Sequence, residues 1–218
     1  MAKFYSVGVG AGDGSYITLG ALRALEQADI IAVPVKKYGE KSTALEIIRK
    51  EFDTDKKEIS ELEFRMSGDT KIREESRRNS AEKIISALKD GKDVAMITLG
   101  DVSVYSTCTY VHNAVKNAGF ELEIIPGITS FCAAADKAQI SLCEGNESVA
   151  IIPSLKSNLL EKYIADFDTV VIMKSGNDTD VIYDLKTTRL FQAVSVWKTK
   201  LSKKYKKANH TVILQPLL

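Results

Sequence analysis

A short apolar segment that ends on a glycine and a carboxylate constrains this chain more than any other feature. Residues Val94–Thr98 have the composition of a buried strand, and Leu99, Gly100 and Asp101 follow it directly. Ligands of open α/β sheets bind outside the carboxyl ends of the strands. There a glycine permits close approach to the backbone, and a carboxylate accepts hydrogen bonds from hydroxyl or amino groups. Taken alone, however, the Gly100–Asp101 dipeptide favours a plain turn.

Strand and helix patterns alternate along the first part of the chain, which predicts a parallel sheet with helices on both faces. Thr18 and Ser42 are typical N-cap residues, and a helix is expected to follow each of them. The predicted elements are strand Phe4–Val9, helix Thr18–Ala28, strand Asp29–Val33 closed by Pro34, helix Ser42–Phe52, a helix from Asp69 or Thr70 to Gly91, the strand at 94–98 and helix Ser103–Asn117.

A second unit is predicted to begin near Glu123–Gly127, so we expect two α/β lobes, residues 1–122 and residues 123–218. Strand and helix patterns alternate here as well, and Asp168–Met173 is strongly β-prone. The predicted elements of the second lobe are a helix from Thr129 or Ser130 to Ala138, strand Ser148–Ile152, helix Leu155–Ala165, strand Asp168–Met173, helix Asp178–Leu185, and strands Phe191–Val196 and Thr211–Gln215.

Charge is distributed unevenly over the 218 residues, although the formal net charge is only +1. All 29 acidic residues lie before Leu185, whereas eight of the 30 basic residues follow it. A basic tail is typical of a nucleic-acid-binding arm and also of a solvated terminus. The basic residues of this segment are Lys186, Arg189, Lys198, Lys200, Lys203, Lys204, Lys206 and Lys207.

Composition and spacing exclude several classes of protein. No apolar run approaches the length of a membrane span, and the first residues lead into a strand pattern without a signal peptide. Three cysteines without CxxC spacing, Cys108, Cys132 and Cys143, indicate small core residues in a reduced, cytoplasmic protein. A zinc site is not expected, since only His112 and His210 are available to join them. His112 is expected to be a packed or surface residue of a helix.

The glycines between Gly8 and Gly14 do not form a dinucleotide-binding fingerprint. Their spacing is GxGxG rather than GxGxxG, and the helix that follows begins several residues too late to receive a pyrophosphate. The chain also contains no P-loop, GxSxG or HExxH pattern. Glycine-bearing loops nevertheless follow four predicted strands, and they either line one cleft or are glycine-rich for geometric reasons alone. These loops are Gly8–Gly14, Gly100–Asp101, Pro126–Gly127 and Met173–Gly176.

Four motifs, in order, resemble those of the tetrapyrrole (corrin/porphyrin) methylase family. They are Gly8–Asp13 followed by Thr18–Leu19 and Ala28–Ile31, then Leu99–Val102, Pro126–Ser130 and Val170–Met173. The resemblance runs from residue 4 to about residue 184. It implies two α/β lobes with a cofactor cleft between them, S-adenosyl-L-methionine as methyl donor, a tetrapyrrole substrate, no membrane association and a homodimer.

Within that family the chain is most similar to the precorrin-2 and cobalt-factor II C20-methyltransferases. The segments that carry this likeness are Gly100–Thr107, Ile128–Ala135, Glu144–Glu147 and Glu63–Met66. The implied activity is methylation of C20 of precorrin-2 or cobalt-factor II (cobalt-precorrin-2) in cobalamin biosynthesis. Alternatives are a methylase of the same fold that acts on another tetrapyrrole carbon or on RNA, and a module that binds the cofactor without turnover.

The resemblance also implies a cofactor-binding set, to which backbone groups contribute most of the contacts. Asp101 is expected to hold part of the cofactor with its side chain, and no catalytic base is assigned. The implied cofactor-binding residues are Ala11, Leu99, Gly100, Asp101, Val104, Tyr105, Thr129, Ser130 and Met173. Tyr105 either packs beside the methyl-transfer channel or packs within its helix. Basic residues that are candidates for binding substrate carboxylates are Lys36, Lys37, Arg65, Lys71, Arg73, Arg77 and Arg78, although most are expected to lie on a solvated helix face.

The chain departs from the family pattern at two kinds of place. Ala11, Gly14, Arg65 and Val102 stand where the family has proline, which leaves those loops less rigid. Residues 186–218 do not align with the family's usual ending. We hypothesise that this basic tail is divergent, for example through a shifted reading frame.

Overall fold

The chain forms two compact α/β units, Met1–Ser130 and Phe131–Leu218, each built on its own parallel sheet. The computed structural model describes residues 2–153, 157–174, 191–195 and 210–215. The predicted boundary at residues 122 and 123 would cut a strand of the first sheet, because residues 121–125 pair with the first strand of the chain. The division into lobes 1–122 and 123–218 stays a prediction.

The sheet of the first unit has five parallel strands in the order β3-β2-β4-β1-β5. Each connection between consecutive strands carries the chain back along one face of the sheet, as parallel pairing requires. The strands are β1 (Lys3–Gly8), β2 (Ile30–Val35), β3 (Glu58–Glu63), β4 (Val94–Thr98) and β5 (Glu121–Ile125). The helices are α1 (Leu19–Gln27), α2 (Thr43–Ile48), α3 (Thr70–Lys89) and α4 (Thr109–Asn117).

Helices cover both faces of this sheet, because successive side chains along each strand point to opposite sides. Phe4 and Met96 lie in the core beneath α3 and α4. Val7 and Ile97 lie in the core beneath α1 and α2. All five residues of β4 are buried, which explains its continuous apolar composition. The sheet therefore leaves only its strand ends and the connecting loops to contact a ligand.

Side-chain caps define where several of the helices begin. The Thr18 hydroxyl accepts a hydrogen bond from Ala21 N at 3.1 Å, at the start of α1. The Asp69 carboxylate accepts one from Lys71 N at 2.8 Å, at the start of α3. A cap of this kind contributes about 1 kcal/mol to helix stability. Both helices start near the positions that the sequence predicted.

The second unit contains four parallel strands in the order β6-β7-β9-β8. Ile164 packs on Ile152 and Val170 in its core. The Asp168 carboxylate accepts hydrogen bonds from Ser148 N at 2.8 Å and from its hydroxyl at 2.9 Å, which joins the starts of β6 and β7. The elements are α5 (Ser130–Ala138), β6 (Val149–Pro153), α6 (Ser157–Asp166), β7 (Thr169–Met173), β8 (Phe191–Ser195) and β9 (His210–Gln215).

Three elements differ from the prediction. Strand β3 was not predicted, since it lies at the sheet edge and most of its side chains are only partly buried. Strand β2 continues through Pro34 rather than ending before it. Ile30 N donates to Asp93 O at 3.1 Å and Val35 O accepts from Phe64 N at 2.8 Å, so alternate residues of β2 face β4 and β3. Pro34 faces the β4 side, where pairing has already ended, and its missing N–H removes no ladder bond.

The third difference is helix α4, which begins at Thr109 rather than at Ser103. The intervening residues form turns. The predicted helix Asp178–Leu185 lies outside the described residues. Among the described residues, no helix has both the length and the apolar character needed to cross a membrane.

Candidate functional site

The loops after β1 and β4 are fixed against each other at the carboxyl edge of the first sheet. β1 lies between β4 and β5, so three neighbouring strands end side by side. Gly10 N donates to Gly100 O at 3.2 Å, and Gly100 N donates to Gly10 O at 2.7 Å. Val9 N donates to Thr98 O at 3.0 Å, which extends the pairing beyond the strands. This brings the first two motifs of the sequence into contact.

Two glycines, Gly8 and Gly127, allow the loop after β5 to join this arrangement. A Cβ on Gly8 would lie 2.7 Å from Gly127 N and 2.8 Å from Gly100 O. A Cβ on Gly127 would overlap Gly100 O and lie 2.7 Å from the carbonyl carbon of Gly8. Such distances are far below van der Waals contact, so the three loops pack backbone against backbone only because Gly8 and Gly127 lack a Cβ.

The Asp101 carboxylate ties the same loops together. One oxygen accepts hydrogen bonds from Ser103 N at 2.8 Å and from the Ser103 hydroxyl. The other oxygen accepts from Gly127 N at 2.8 Å. Partial burial would raise the pKa of Asp101, but the hydrogen bonds from Ser103, Gly127 and Val102 outweigh it and hold the pKa below its ordinary value. Asp101 is therefore a carboxylate anion at neutral pH.

These contacts give Asp101 a structural role that the sequence pattern did not reveal. The prediction was that its side chain accepts hydrogen bonds from a ligand, whereas the structure shows donors from two loops of the protein itself. A carboxylate has about four acceptor positions, and the donors from Ser103, Gly127 and Val102 already occupy them. Direct binding by Asp101 stays a prediction.

The segment after Asp101 is held in an unusual conformation. Gly100 has φ +73° and Tyr105 has φ +49°; for a tyrosine, this left-handed backbone costs about 1 kcal/mol or more. The Ser106 hydroxyl donates to Thr98 Oγ1 at 2.9 Å and accepts from Cys108 N at 3.1 Å. These bonds hold the far end of the turn against β4 and explain why α4 begins only afterwards. The Tyr105 side chain is 43% exposed.

An unpartnered hydroxyl lies next to this turn. Thr129 Oγ1 is buried and makes no hydrogen bond within the part of the chain that the structure describes. A Cβ on Gly100 would have only Ile128 O and Ser130 N as near neighbours, each at 3.9 Å. The space above Gly100 is thus open and bordered by the backbone next to Thr129. A buried polar atom without a partner is costly, which makes it a candidate for binding a ligand.

The structure brings together most of the residues that were predicted as cofactor contacts. Ala11 follows the Gly10–Gly100 pairing, and Leu99–Asp101 and Thr129–Ser130 border the open space. Val104 and Tyr105 lie in the turn after Asp101. Met173 is the last residue of β7, in the second unit. From the sequence, Gly8 and Gly127 were recognised only as loop residues. The signal for their packing role is that each of two adjacent strands, β1 and β5, has a glycine at or just after its end.

The basic residues that were proposed as substrate contacts differ in their partners. Arg65 pairs with Glu63 at 2.7 Å, and Arg78 pairs with Glu82 at 3.8 Å. The Arg73 guanidinium instead donates to Ser67 O and to Thr70 Oγ1. The Arg77 guanidinium stacks 3.6 Å above the ring of Tyr110. For Lys36, Lys37 and Lys71, the structure gives no further support for the predicted contact with a ligand.

His112 packs within the first unit. A packed position was one of the two that we expected for it, the other being the helix surface. Its Nε2 atom lies 2.9 Å from the Ser6 hydroxyl, and its ring meets Phe4 edge-on. Partial burial and the nearby Lys116 lower the pKa of His112.

The cysteines do not all lie in the core. Cys108 is buried, which raises the pKa of its thiol to about 11. Cys132 is partly buried, and Cys143 is exposed in the turns after α5. The prediction of three core cysteines is wrong for Cys143, because it falls in a connection rather than in a helix or strand.

Comparison with known proteins identifies the family. A family model described as Tetrapyrrole (Corrin/Porphyrin) Methylases matches residues 3–209. The chain belongs to this family. The match includes most of the basic segment that the motifs left unaligned.

Two relatives and one solved structure show how similar this chain is to individual proteins. The chain is 46% identical over 175 residues to a protein of Methanocaldococcus jannaschii named "Probable cobalt-precorrin-2 C(20)-methyltransferase", a match that covers 80% of this chain and 73% of the relative. It is 31% identical to the cobalt-precorrin-2 C(20)-methyltransferase of Salmonella typhimurium over 79% of this chain and 72% of the relative. A crystal structure of a cobalamin synthesis related protein (CobF) from Corynebacterium diphtheriae has the same fold, with a TM-score of 0.65, 22% identity and coverage of 81% of this chain and 73% of that chain.

Proposed function

We propose that the protein is an S-adenosylmethionine-dependent methyltransferase that acts on C20 of cobalt-precorrin-2 or precorrin-2 in cobalamin biosynthesis. The observation that carries this proposal is the 46% identity to a relative named for that activity, over 80% of this chain. A second relative, with 31% identity, carries the same substrate in its name. The order of motifs along the sequence supports the same assignment.

The carboxyl edge of the first unit fits S-adenosylmethionine. Thr129 supplies a buried hydroxyl without a partner among the described residues, and the open space above Gly100 admits close approach to the backbone. The methyl donor carries a positive charge on sulfur and several amino and hydroxyl groups. A carboxylate anion at Asp101 suits the positive charge of the methyl donor.

When bound, S-adenosylmethionine supplies an activated methyl group, which replaces one proton on the accepting carbon. The described residues contribute mainly by position in this reaction. Asp101 holds the loops after β4 and β5 together through Ser103 and Gly127, and the Gly10–Gly100 pairing adds the loop after β1. Correct alignment of two reactants supplies roughly 7–11 kcal/mol of a barrier in favourable systems. A preorganised loop cluster is therefore the main catalytic contribution that we assign.

We assign no general base to the loss of the proton. The ring of His112 is engaged with Ser6 and packs against Phe4. Cys108 is a buried neutral thiol because its pKa is raised to about 11. Cys108 is not available to a macrocycle without rearrangement of the core, because its thiol is fully buried. Met173 stays a predicted cofactor contact, and a cytoplasmic homodimer stays the expected state of the enzyme.

Methyl transfer is tested with S-adenosylmethionine labelled in its methyl group and with metal-free or cobalt-loaded precorrin-2 as acceptor. The expected result is label in the macrocycle at C20, located by carbon NMR, with preference for one of the two acceptors. Label at another carbon would overturn the substrate assignment but keep the reaction class. Cofactor binding without any transfer would support the module that lacks turnover.

A further inference from the structure

A stacked arginine–tyrosine pair lies on the first unit outside the loop cluster just described. The Arg77 guanidinium of α3 lies 3.6 Å above the ring of Tyr110 of α4. Each helix follows a parallel strand through a connecting loop, so both helices begin on the side of the carboxyl edge of the sheet. Arg77 is seven residues into α3, or about 10 Å along the helix. Tyr110 is the second residue of α4, so the pair lies toward the helix ends that begin on the side of this edge.

Arg77 carries a charge that no carboxylate of the described residues neutralises by an ion pair. Arg65 and Arg78, by contrast, pair with Glu63 and Glu82. Stacking on an aromatic ring covers one face of a guanidinium and leaves the N–H groups along its edge free to donate. Those N–H groups match the two oxygens of a carboxylate. Stacking on Tyr110 therefore holds the Arg77 guanidinium in place, while its N–H groups can still donate to a carboxylate.

Arg73 adds a second charge on the same side of α3. It lies four residues before Arg77, and residues at this spacing are neighbours on a helix surface. Its guanidinium donates to Ser67 O and to Thr70 Oγ1, both of them neutral groups. Arg73 is therefore oriented without losing its charge to a carboxylate partner. Two ordered positive charges on one surface favour a ligand with more than one acid group.

Several large apolar side chains on or near these helices are exposed. Tyr110 is 48% exposed and Met66, in the loop that leads into α3, is 70% exposed. Ile72, also near the start of α3, is partly exposed. An exposed aromatic ring beside an ordered cation, as at Tyr110 and Arg77, suits a molecule with a broad apolar ring system and acid side chains.

We propose that Arg77, stacked on Tyr110, together with Arg73 forms a subsite that binds peripheral carboxylates of the tetrapyrrole substrate. This inference rests on the proposed function, since it takes the substrate class from there. The subsite determines affinity for the macrocycle and takes no part in methyl transfer. Arg73 and Arg77 were only two of seven basic candidates in the sequence, and the absence of carboxylate partners within the described residues now separates them from Arg65 and Arg78.

Equilibrium binding of precorrin-2 to the full chain, followed by its absorbance, tests the subsite directly. Arg77→Gln is expected to weaken binding about five- to tenfold, the usual effect of losing one charge-assisted contact. Tyr110→Leu is expected to weaken binding by a smaller factor, whereas Tyr110→Phe keeps the stacking surface and the affinity. Calorimetric affinity for S-adenosylmethionine should be unchanged in all three variants.

Arg78→Gln is the matched control, because Arg78 is the next residue on the same helix and pairs with Glu82. If Arg77→Gln and Arg78→Gln bind precorrin-2 as tightly as the wild type does, the subsite is wrong. If the wild-type protein neither binds nor methylates precorrin-2 in either metal state, the proposed function itself fails. Thermal unfolding of the variants separates loss of affinity from loss of fold.

Discussion

Carboxylates hold both edges of the first sheet together, yet the two edges differ in what surrounds them. At the amino edge, Asp93 accepts a hydrogen bond from Lys3 N at 2.7 Å, and Asp29 accepts one from Asp93 N at 2.8 Å. At the carboxyl edge, Asp101 accepts from Gly127 N at 2.8 Å. The chemistry of the bond is the same at both edges.

The surroundings of the carboxylates distinguish a binding site from a structural contact. The bonds of Asp29 and Asp93 join the first residues of neighbouring strands. At Asp101 the bonds join loops, glycines pack backbone against backbone, and the hydroxyl of Thr129 is buried without a partner among the described residues. A carboxylate bonded to a backbone N–H is thus poor evidence for function by itself. Its combination with close glycine packing and an unpartnered polar atom is the informative feature.

The largest effect is expected from Gly127→Ala. The added methyl group would overlap Gly100 O and crowd Gly8, so the loops must separate. We expect a loss of about 1–3 kcal/mol in the free energy of unfolding, as for overpacking in a core. Affinity for S-adenosylmethionine should fall by a factor of at least about 100, which corresponds to roughly 2.7 kcal/mol. Denaturant unfolding and calorimetry measure the two quantities.

Gly68→Ala is the control for that substitution. A Cβ on Gly68 would meet no atom within 4 Å, so stability and cofactor affinity should both stay near the wild-type values. If Gly127→Ala behaves like Gly68→Ala, the backbone packing of the three loops is not required for binding.

Asp101→Ala and Asp93→Ala compare the two edges directly. Each substitution leaves at least one backbone N–H without its acceptor, and each is expected to cost about 1–3 kcal/mol of stability. Only Asp101→Ala should also weaken S-adenosylmethionine binding, by about tenfold or more. Equal loss of cofactor affinity in both variants would show that general destabilisation, rather than the carboxyl edge, governs binding.

Thr129→Val separates binding from stability at the carboxyl edge. Valine keeps the shape of threonine and removes a buried hydroxyl that has no partner among the described residues. Stability should stay equal or rise by up to about 1 kcal/mol, since an unsatisfied polar group is lost. Cofactor affinity should fall by about five- to tenfold if the hydroxyl bonds to the ligand. A stability loss with unchanged affinity would assign Thr129 to the fold alone.

The smallest effect concerns pH. Because hydrogen bonds hold the pKa of Asp101 below its ordinary value of 3.8, ionised Asp101 stabilises the fold above that value. The contribution is lost as the pH falls through the lowered pKa. Wild type should therefore exceed Asp101→Asn in stability near neutral pH, and the difference should shrink as the solution becomes acidic. Urea titrations over that range measure it, and a difference independent of pH would contradict the ionised state.

Local sequence pattern was sufficient for much of this fold. Strand β4 was predicted from its apolar run, and the starts of α1 and α3 from Thr18 and Asp69, because each signal lies within a few adjacent residues. Strand β3 was missed since its edge position leaves too little apolar alternation to detect. Helix α4 was predicted to begin at Ser103, which is too early because Ser103 bonds to Asp101 and Ser106 bonds to Thr98 instead.

The candidate site was predictable in its location but not in its contacts. Glycine-bearing loops after strands indicated the edge, and the family resemblance indicated the ligand. The bond from Gly127 N to Asp101 spans 26 residues, and no local pattern encodes it. The unpartnered state of Thr129 likewise depends on the arrangement of residues distant in sequence. Both features follow from the order of the strands in the sheet.

Amide NMR of the 24.0 kDa chain during titration with S-adenosylmethionine tests the central claim most directly. If the carboxyl edge binds the cofactor, the amide signals of Gly100, Asp101 and Gly127 shift with a common affinity. The amide signals of Asp29 and Asp93, at the amino edge, do not shift. Saturable binding that leaves the signals of Gly100, Asp101 and Gly127 unchanged would contradict the account.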